Sequence, residues 1–358
     1  MIDNIKDLDN HKLDFHLEEL LAWKNGLDTY PIHLDIGPSG GCVNRCVHCY
    51  LKWYGYKADL LSKKIMDNII EDGKELNLKS IFLAGSGEPL MNPYTPDFIV
   101  KANKNGIDMA IATNGLLLDE AKSSKIMPYL NWIRFNVLAY SEEKFSMLHG
   151  CDKKNRNIVF DNIKKFIKIR DELNSDTGTG IGTCILPEAI NEIEQLIKFA
   201  KDSGLDYISI RPVSVNKKNE FFVNNKELYQ KHSEQFENYV EKYSNKNFNV
   251  IIRKNLFLDS SIAKNIYKNC YGINFINQID ANGDVIACGC FVGNKKYIFG
   301  NLNNAPYKEI FMSEQRKKVL RYVESLADIE DCDDFCRCHN INKYLWRHKN
   351  PPRDVNFI

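Results

Sequence analysis

Short apolar runs alternate with helix-like segments from about residue 32 to residue 211, and this alternation restricts the possible folds more than any other feature. Strands separated by single helices run parallel, because each helix carries the chain back across the sheet in a right-handed crossover. The predicted strands lie near residues 32–36, 79–84, 107–112, 132–138, 179–186 and 206–211, with another near 248–253. The predicted helices lie near residues 11–27, 63–77, 94–104, 117–126, 157–173, 190–203, 226–243 and 307–325.

No glycine-rich dinucleotide loop follows the first strand, which favours a partial barrel over a doubly wound sheet. We therefore expect an α/β chain whose core, residues 31–255, is a partial (β/α)6 TIM-type barrel. A helical segment (1–30) precedes this core, and a small α+β extension (256–358) follows it. Barrels of this type carry their chemistry at the C-terminal ends of the strands.

A loop with three cysteines follows the first predicted strand. Cys42, Cys46 and Cys49 stand close together in sequence, and clustered thiolates select iron–sulfur clusters, zinc or Cu(I). A structural zinc site would normally require a fourth Cys or His at similar spacing. His48 lies between two of the cysteines and is poorly placed to complete that site. Three thiolates would leave one iron of a four-iron, four-sulfur cluster open to a non-protein ligand.

The second predicted strand ends in a segment of small residues, 84–89. Gly85, Ser86 and Gly87 would let a ligand approach the backbone closely, and Glu88 offers an acceptor for an ammonium group. A plain turn between a strand and a helix is the alternative for this segment.

Together these two segments resemble the radical S-adenosylmethionine (SAM) enzymes. The cysteines reproduce the CxxxCxxC signature, with the aromatic His48 before the third cysteine, and residues 85–89 resemble the G-G-E-P segment, with Ser86 at its second glycine. The resemblance implies that SAM chelates the open iron and that Glu88 holds its amino group. It also implies that an electron from a donor such as flavodoxin or ferredoxin cleaves SAM to methionine and a 5′-deoxyadenosyl radical. That radical would take a hydrogen atom from the substrate.

The same resemblance implies further SAM contacts beside the cysteine loop and at the ends of strands three to six. Besides His48 and the 85–88 segment, these candidates are Tyr50, Thr113, Asn136, His149 and Arg211. Asn136 stands where the family usually has a serine. His149 is the nearest candidate for the arginine that many relatives place against the SAM carboxylate. A surface histidine at a helix end and a surface ion pair are the alternatives for His149 and Arg211.

The C-terminal cysteines give a second resemblance. The Cys270-x12-Gly283-x4-Cys288 spacing resembles the start of the SPASM and Twitch extensions, which hold auxiliary iron–sulfur clusters. Asn282-Gly283 predicts a hairpin with a type I′ turn that would bring the two thiolates together, with Cys288 and Cys290 on its returning strand. The extension is accordingly expected to be SPASM/Twitch-like.

Six cysteines in this region cannot supply the eight ligands of two clusters, so we expect one auxiliary four-iron, four-sulfur cluster. The preferred ligands are Cys270, Cys288, Cys332 and Cys336, with Cys290 and Cys338 in reserve. A structural zinc site is the alternative.

Two cysteines remain outside these groups. Cys184 lies on predicted strand five and could point into the barrel, where a thiol can return a hydrogen atom to a substrate radical. Cys151 is a second candidate for that role. The alternative for both is the small hydrophobic role of most buried cysteines.

Composition excludes several classes of partner. The 48 basic and 47 acidic residues give a net charge of +1, which offers no electrostatic case for a nucleic acid. No apolar run approaches the length of a membrane span, and the polar N-terminus is unlike a signal peptide. We therefore expect a cytoplasmic protein whose clustered cysteines bind metal.

The substrate is less constrained. About thirty residues precede the first strand, too few for the leader-peptide module of many peptide-modifying relatives, which favours a small polar or carbohydrate substrate. Dehydrogenation is preferred, with epimerisation of a sugar or peptide second and maturation of a ribosomal peptide third. A non-catalytic electron carrier or a zinc-stabilised binding protein is the alternative from another class, and the 85–89 segment argues against it.

Overall fold

One open sheet organises the fold. The structure is a computed structural model and describes residues 11–213, 223–258, 266–325, 336 and 338–357. Its strands are β1 (His33–Ile36), β2 (Ser80–Leu83), β3 (Asp108–Thr113), β4 (Trp132–Asn136), β5 (Gly178–Cys184), β6 (Tyr207–Arg211), β7 (Asn249–Ile252), β8 (Ile276–Ile279), β9 (Asp284–Ile286) and β10 (Ile298–Asn301). Their order across the sheet is β10-β9-β8-β1-β2-β3-β4-β5-β6-β7. Strands β1 to β7 are parallel, so the expected open α/β barrel sheet is confirmed.

The described residues also form α-helices, several of which pack against the sheet. They are α1 (Leu17–Lys24), α2 (Leu51–Tyr54), α3 (Lys63–Glu75), α4 (Thr95–Lys104), α5 (Glu120–Ile126), α6 (Glu142–His149), α7 (Lys154–Glu172), α8 (Ile193–Asp202), α9 (Asn225–Tyr243), α10 (Lys254–Leu258), α11 (Tyr307–Met312), α12 (Glu314–Ser325) and α13 (His339–Lys349). Sequence periodicity missed α2, α6, α10 and α13 and merged α11 with α12. No helix in the ranges given above combines the length and the apolar character needed to cross a membrane.

The two faces of the sheet differ in accessibility. Along β4, Ile133 and Phe135 are buried against the helices, whereas Trp132, Arg134 and Asn136 on the other face remain partly accessible. Side chains of a strand alternate between its two faces. On β4, therefore, the inner face of the open barrel remains partly open to solvent.

The C-terminal segment extends this sheet. Strand β8 lies parallel to β1, with Ile279 paired to Ile36, and β9 and β10 follow in antiparallel order. The predicted type I′ turn is wrong: the connection spans four residues, Gly283 N–H donates to Asp280 O at 2.9 Å, and Asn282 has no positive φ. Strand β9 ends at Ile286, so Cys288 and Cys290 lie beyond the returning strand rather than on it.

Candidate active site

The cysteine loop is anchored to the end of helix α6. The amides of Arg45 and Val47 donate to the carbonyls of His149 and Leu148 at 2.8 and 2.9 Å. Gly150 follows the helix with φ +57°, and a Cβ at this position would overlap the Arg45 carbonyl. The sequence carries a signal for this helix, because a serine before a helix and a glycine just after it are typical helix-end residues.

The three thiols of the loop are partly buried and influence one another. Burial raises the pKa of Cys46 and of Cys49, and it raises the pKa of Cys42 to about 11, with smaller contributions from the charges of Glu88 and Cys49. Among the described residues, no three Cys, His, Asp or Glu side chains lie close enough to share a single metal ion. In an iron–sulfur cluster each thiolate binds a separate iron, and binding releases the thiol protons.

The small-residue segment after β2 packs directly on the cysteine loop. Gly87 has φ +71°, and a Cβ there would overlap the carbonyl oxygens of Gly41 and Ser39. The Glu88 amide donates to Gly41 O at 2.7 Å. Only glycine permits this approach, so the position is constrained by structure as well as by any ligand.

Glu88 is 2% exposed and joins the loops after β2 and β3. Its carboxylate accepts hydrogen bonds from Thr113 Oγ1 at 2.6 Å, from the Asn114 amide at 2.8 Å and from the Leu90 amide at 3.2 Å. Burial raises the pKa of this carboxyl group, and these hydrogen bonds oppose that effect. The hydrogen bonds of Glu88, including the one from Thr113, therefore hold together the loops that form the site. Direct contact of either residue with SAM stays a prediction.

Asp280, at the end of β8, reaches the same segment. Ser86 Oγ donates to Asp280 Oδ1, and the Tyr50 hydroxyl lies 2.8 Å from Ser86 Oγ. Because the Ser86 proton is used on the carboxylate, the Tyr50 hydroxyl donates to Ser86. Sequence reasoning missed Asp280, since nothing local marks a residue so far along the chain as a neighbour of Ser86.

Cys184, Arg211 and His48 meet at the ends of β5 and β6. Burial raises the pKa of Cys184, but the Arg211 charge and hydrogen bonds from His48 and Arg211 outweigh it, giving a pKa of about 6. Within the described residues, His48 Nδ1 and Asn136 Oδ1 are buried without a hydrogen-bond partner. Two such orphaned polar atoms beside the cysteine loop fit the binding of a polar ligand there.

Cys151 has a different position. It follows helix α6, lies close enough to Cys46 to affect its pKa, and packs against the main core. It belongs to no strand of the inner face. Its role as a hydrogen donor stays a prediction.

Four C-terminal cysteines gather beyond β9. The pKa of Cys336 is raised by its hydrogen bond with Cys338, by burial, and by the charges of Cys338, Cys270 and Cys288. Asn342 Nδ2 donates to Cys270 Sγ at 3.4 Å. The structure therefore groups Cys338 with three of the four preferred ligands.

The other two cysteines of the extension are Cys290 and Cys332. Cys290 lies in the short 3-10 turn Gly289–Phe291. Cys332 lies outside the described residues.

Comparison with known proteins decides the family. Residues 36–200 match the radical SAM superfamily, and residues 270–339 match the SPASM iron–sulfur cluster-binding domain. The chain contains a radical SAM domain and a C-terminal SPASM domain. The family and the C-terminal domain expected from the cysteine patterns are thereby confirmed.

Similarity of this radical SAM protein to individual relatives is low. It is 22% identical over 170 residues to a tungsten-containing aldehyde ferredoxin oxidoreductase cofactor-modifying protein of Pyrococcus furiosus, covering 46% of this chain and 47% of the relative. It is 23% identical over 197 residues to dTDP-4-amino-4,6-dideoxy-D-glucose ammonia-lyase of Streptomyces venezuelae, covering 51% and 40%. The matched parts thus span less than half the length of these curated relatives. Among solved structures, Streptococcus suis SuiB bound to SAM superposes with a TM-score of 0.65 at 15% identity, covering 87% and 72%.

The two matched domains imply SAM and four-iron, four-sulfur clusters as cofactors of this radical SAM protein. The residues present fit these groups. Cys42, Cys46 and Cys49 supply three thiolates beside orphaned polar atoms, and the group around Cys336 supplies a second set.

His149 packs against one of the thiols. The Leu138 amide donates to His149 Nε2 at 3.1 Å, and burial lowers the pKa of the ring to about 3, so the neutral ring carries its proton on Nδ1. That N–H points at Cys46 Sγ, 3.5 Å away. Contact of His149 with SAM stays a prediction, and the observed contact makes it a positioning residue for Cys46.

Replacing His149 by Phe is expected to lower the reduction potential of the first cluster. Hydrogen bonds to ligand sulfur stabilise the more negative reduced state. A hydrogen bond of ~1 kcal/mol corresponds to about 40 mV for one electron. A redox titration followed by electron paramagnetic resonance measures this shift, with His232→Phe on helix α9 as the matched control. An unchanged potential at full iron content would exclude the proposed N–H···S bond.

Proposed function

We propose that this protein is a radical SAM oxidoreductase that removes hydrogen from a small polar, carbohydrate-like substrate and oxidises it. When bound, the first cluster and SAM supply a 5′-deoxyadenosyl radical, and the auxiliary cluster supplies an acceptor for the remaining electron. Reduced flavodoxin or ferredoxin is the proposed donor. Thiolate sites of this kind suit the reducing cytoplasm.

One observation carries the choice of a small polar substrate. Besides Trp132 and Tyr207, the inward positions of β4 to β6 carry polar side chains and glycines, including Asn136 and Arg211. A hydrophobic inner face would favour a lipid or an apolar peptide side chain, whereas buried polar atoms without partners favour a ligand with many hydroxyl groups.

The surroundings of Cys184 favour oxidation over epimerisation. A hydrogen atom returned to a substrate radical must come from an S–H bond. The Arg211 charge and the hydrogen bonds to Cys184 stabilise its thiolate, which has no S–H bond. Cys184 nevertheless lies at the end of β5 on the inner face, so epimerisation remains the second candidate.

Anaerobic reconstitution with iron, sulfide and SAM, followed by reduction, is expected to yield methionine and 5′-deoxyadenosine. Detection of 5′-deoxyadenosine separates a radical enzyme from an electron carrier, and its absence from fully loaded protein would overturn the proposal.

Turnover of candidate sugars in heavy water then separates the two reactions. Oxidation predicts a product two hydrogens lighter with no solvent deuterium on carbon. Epimerisation predicts deuterium on carbon and loss of turnover in Cys184→Ala.

A further inference from the structure

Three arginines converge on the inner face of the sheet. Arg134 lies in β4, Arg211 ends β6, and Arg253 directly follows β7. Burial lowers the pKa of Arg134 to about 10, and the positive charges of Arg211 and Arg253 add to this effect, whereas Tyr207 and Cys184 oppose it. Arg211 and Arg253 therefore both lie within electrostatic reach of Arg134, which stays protonated at neutral pH.

Arg134 and Arg211 have no carboxylate partner among the described residues. In the parts of the chain that the structure describes, the Nε atoms of both are buried without a hydrogen-bond partner, and Arg211 is instead hydrogen-bonded to Cys184. Arg170 shows the opposite case, because its guanidinium contacts both carboxylate oxygens of Asp206 at 3.2 Å and the Thr179 hydroxyl at 2.8 Å.

Glycines of strand β5 leave space for the Arg134 side chain. A Cβ on Gly182 would lie 2.7 Å from Arg134 Cδ and 3.1 Å from its Nε, and a Cβ on Gly180 would overlap the Tyr207 ring. Inward positions 178, 180 and 182 of β5 are all glycine. Strand β5 therefore has no inward side chain before Cys184, and the Arg134 side chain lies over its bare backbone.

Arg316 is a buried arginine whose contacts within the protein indicate a structural role. The Arg316 Nε is also buried without a hydrogen-bond partner, but its guanidinium lies 3.5 Å from the centre of the Phe311 ring and donates to Thr29 O, which stabilises its charge within the protein. The ring centres nearest to Arg134, those of Phe82 and Trp132, are 5.6 and 5.9 Å away. The compensation available to Arg134 inside the protein is correspondingly weaker.

We infer that Arg134 and Arg211, beside Arg253, bind a phosphoryl group of the substrate. Like charges held together away from water are costly unless an anion accompanies them. Guanidinium groups match phosphate oxygens in paired hydrogen bonds. The inference rests on the proposed function and narrows its substrate to a phosphorylated or pyrophosphate-linked sugar.

Calorimetric titration of inorganic phosphate and pyrophosphate into the cluster-loaded protein tests this directly. The wild type is expected to bind pyrophosphate, and Arg134→Gln is expected to weaken that binding at least tenfold through loss of charge-assisted hydrogen bonds. Arg321→Gln, a change at an exposed arginine of α12, is the matched control and should bind like the wild type. Arg211→Gln is the second variant if Arg134→Gln fails to fold or to load iron.

Each result has a defined meaning. Equal pyrophosphate affinity in the wild type and both arginine variants would overturn the inference, as would tighter wild-type binding of acetate than of pyrophosphate. A loss of SAM affinity in Arg134→Gln without a loss of pyrophosphate affinity would assign the arginine to the cofactor and also overturn it. Because this measurement needs no SAM cleavage, absence of 5′-deoxyadenosine from the wild type would count against the proposed function alone.

Discussion

A variant with Cys42, Cys46 and Cys49 all replaced by Ala is expected to lose about four irons per chain and all formation of 5′-deoxyadenosine. The loop would retain its anchors, because the amides of Arg45 and Val47 bond to backbone carbonyls at the end of α6 rather than to thiols. The fold should therefore survive. Iron and sulfide analysis, with chromatography of the reaction products, measures the effect.

Cys151→Ala is the matched control, since it removes a thiol that lies near Cys46 but outside the triplet. It should retain the irons of the first cluster. Formation of 5′-deoxyadenosine by the triple variant would contradict the assignment of the first cluster.

Loss of either Cys336 or Cys338 is expected to remove a second set of about four irons and to stop product oxidation. The two thiols are hydrogen-bonded to each other, and the charges of Cys270 and Cys288 act on the same sulfur. We therefore expect Cys338 to be a ligand, a position that the sequence held only in reserve. Mössbauer spectra of the single variants would show the first cluster retained and the second set lost.

Cys290→Ala serves as the comparison, because Cys290 lies in the 3-10 turn Gly289–Phe291 and is not among the largest influences on the pKa of Cys336. Its iron content should equal that of the wild type. Zinc instead of iron in the reconstituted wild type, or iron loss in Cys290→Ala but not in Cys338→Ala, would contradict this ligand set.

Local patterns predicted the barrel well and indicated the cofactors. Strands β1 to β7 fell where apolar runs of strand length occur, since each is buried against helices on one face. The triplet at Cys42 and the segment ending at Glu88 are contiguous, so their spacing alone indicated a cofactor site. Even so, the sequence suggested a ligand contact for Glu88, whereas the structure adds three hydrogen bonds from the protein.

What the sequence did not predict depends on distant pairing. The contact of Asp280 with Ser86 exists only because β8 lies beside β1, and no local periodicity specifies which edge of a sheet a late strand joins. The arginines of the inner face come from three strands, and each one alone resembles an ordinary surface arginine. The alternating glycines of β5 were a usable signal, because glycine weakens a strand unless another group needs the space.

The pairing of β1 with β8 also affects how the chain is made. Ile36 pairs with Ile279, so β1 waits for a partner synthesised about 240 residues later. At roughly 5–20 residues per second, that wait is on the order of ten to fifty seconds. During this time the emerging barrel presents an unpaired β1 edge, a surface that favours association with other nascent chains. Slow translation or scarce chaperone should therefore lower the soluble yield of this protein before any cofactor is inserted.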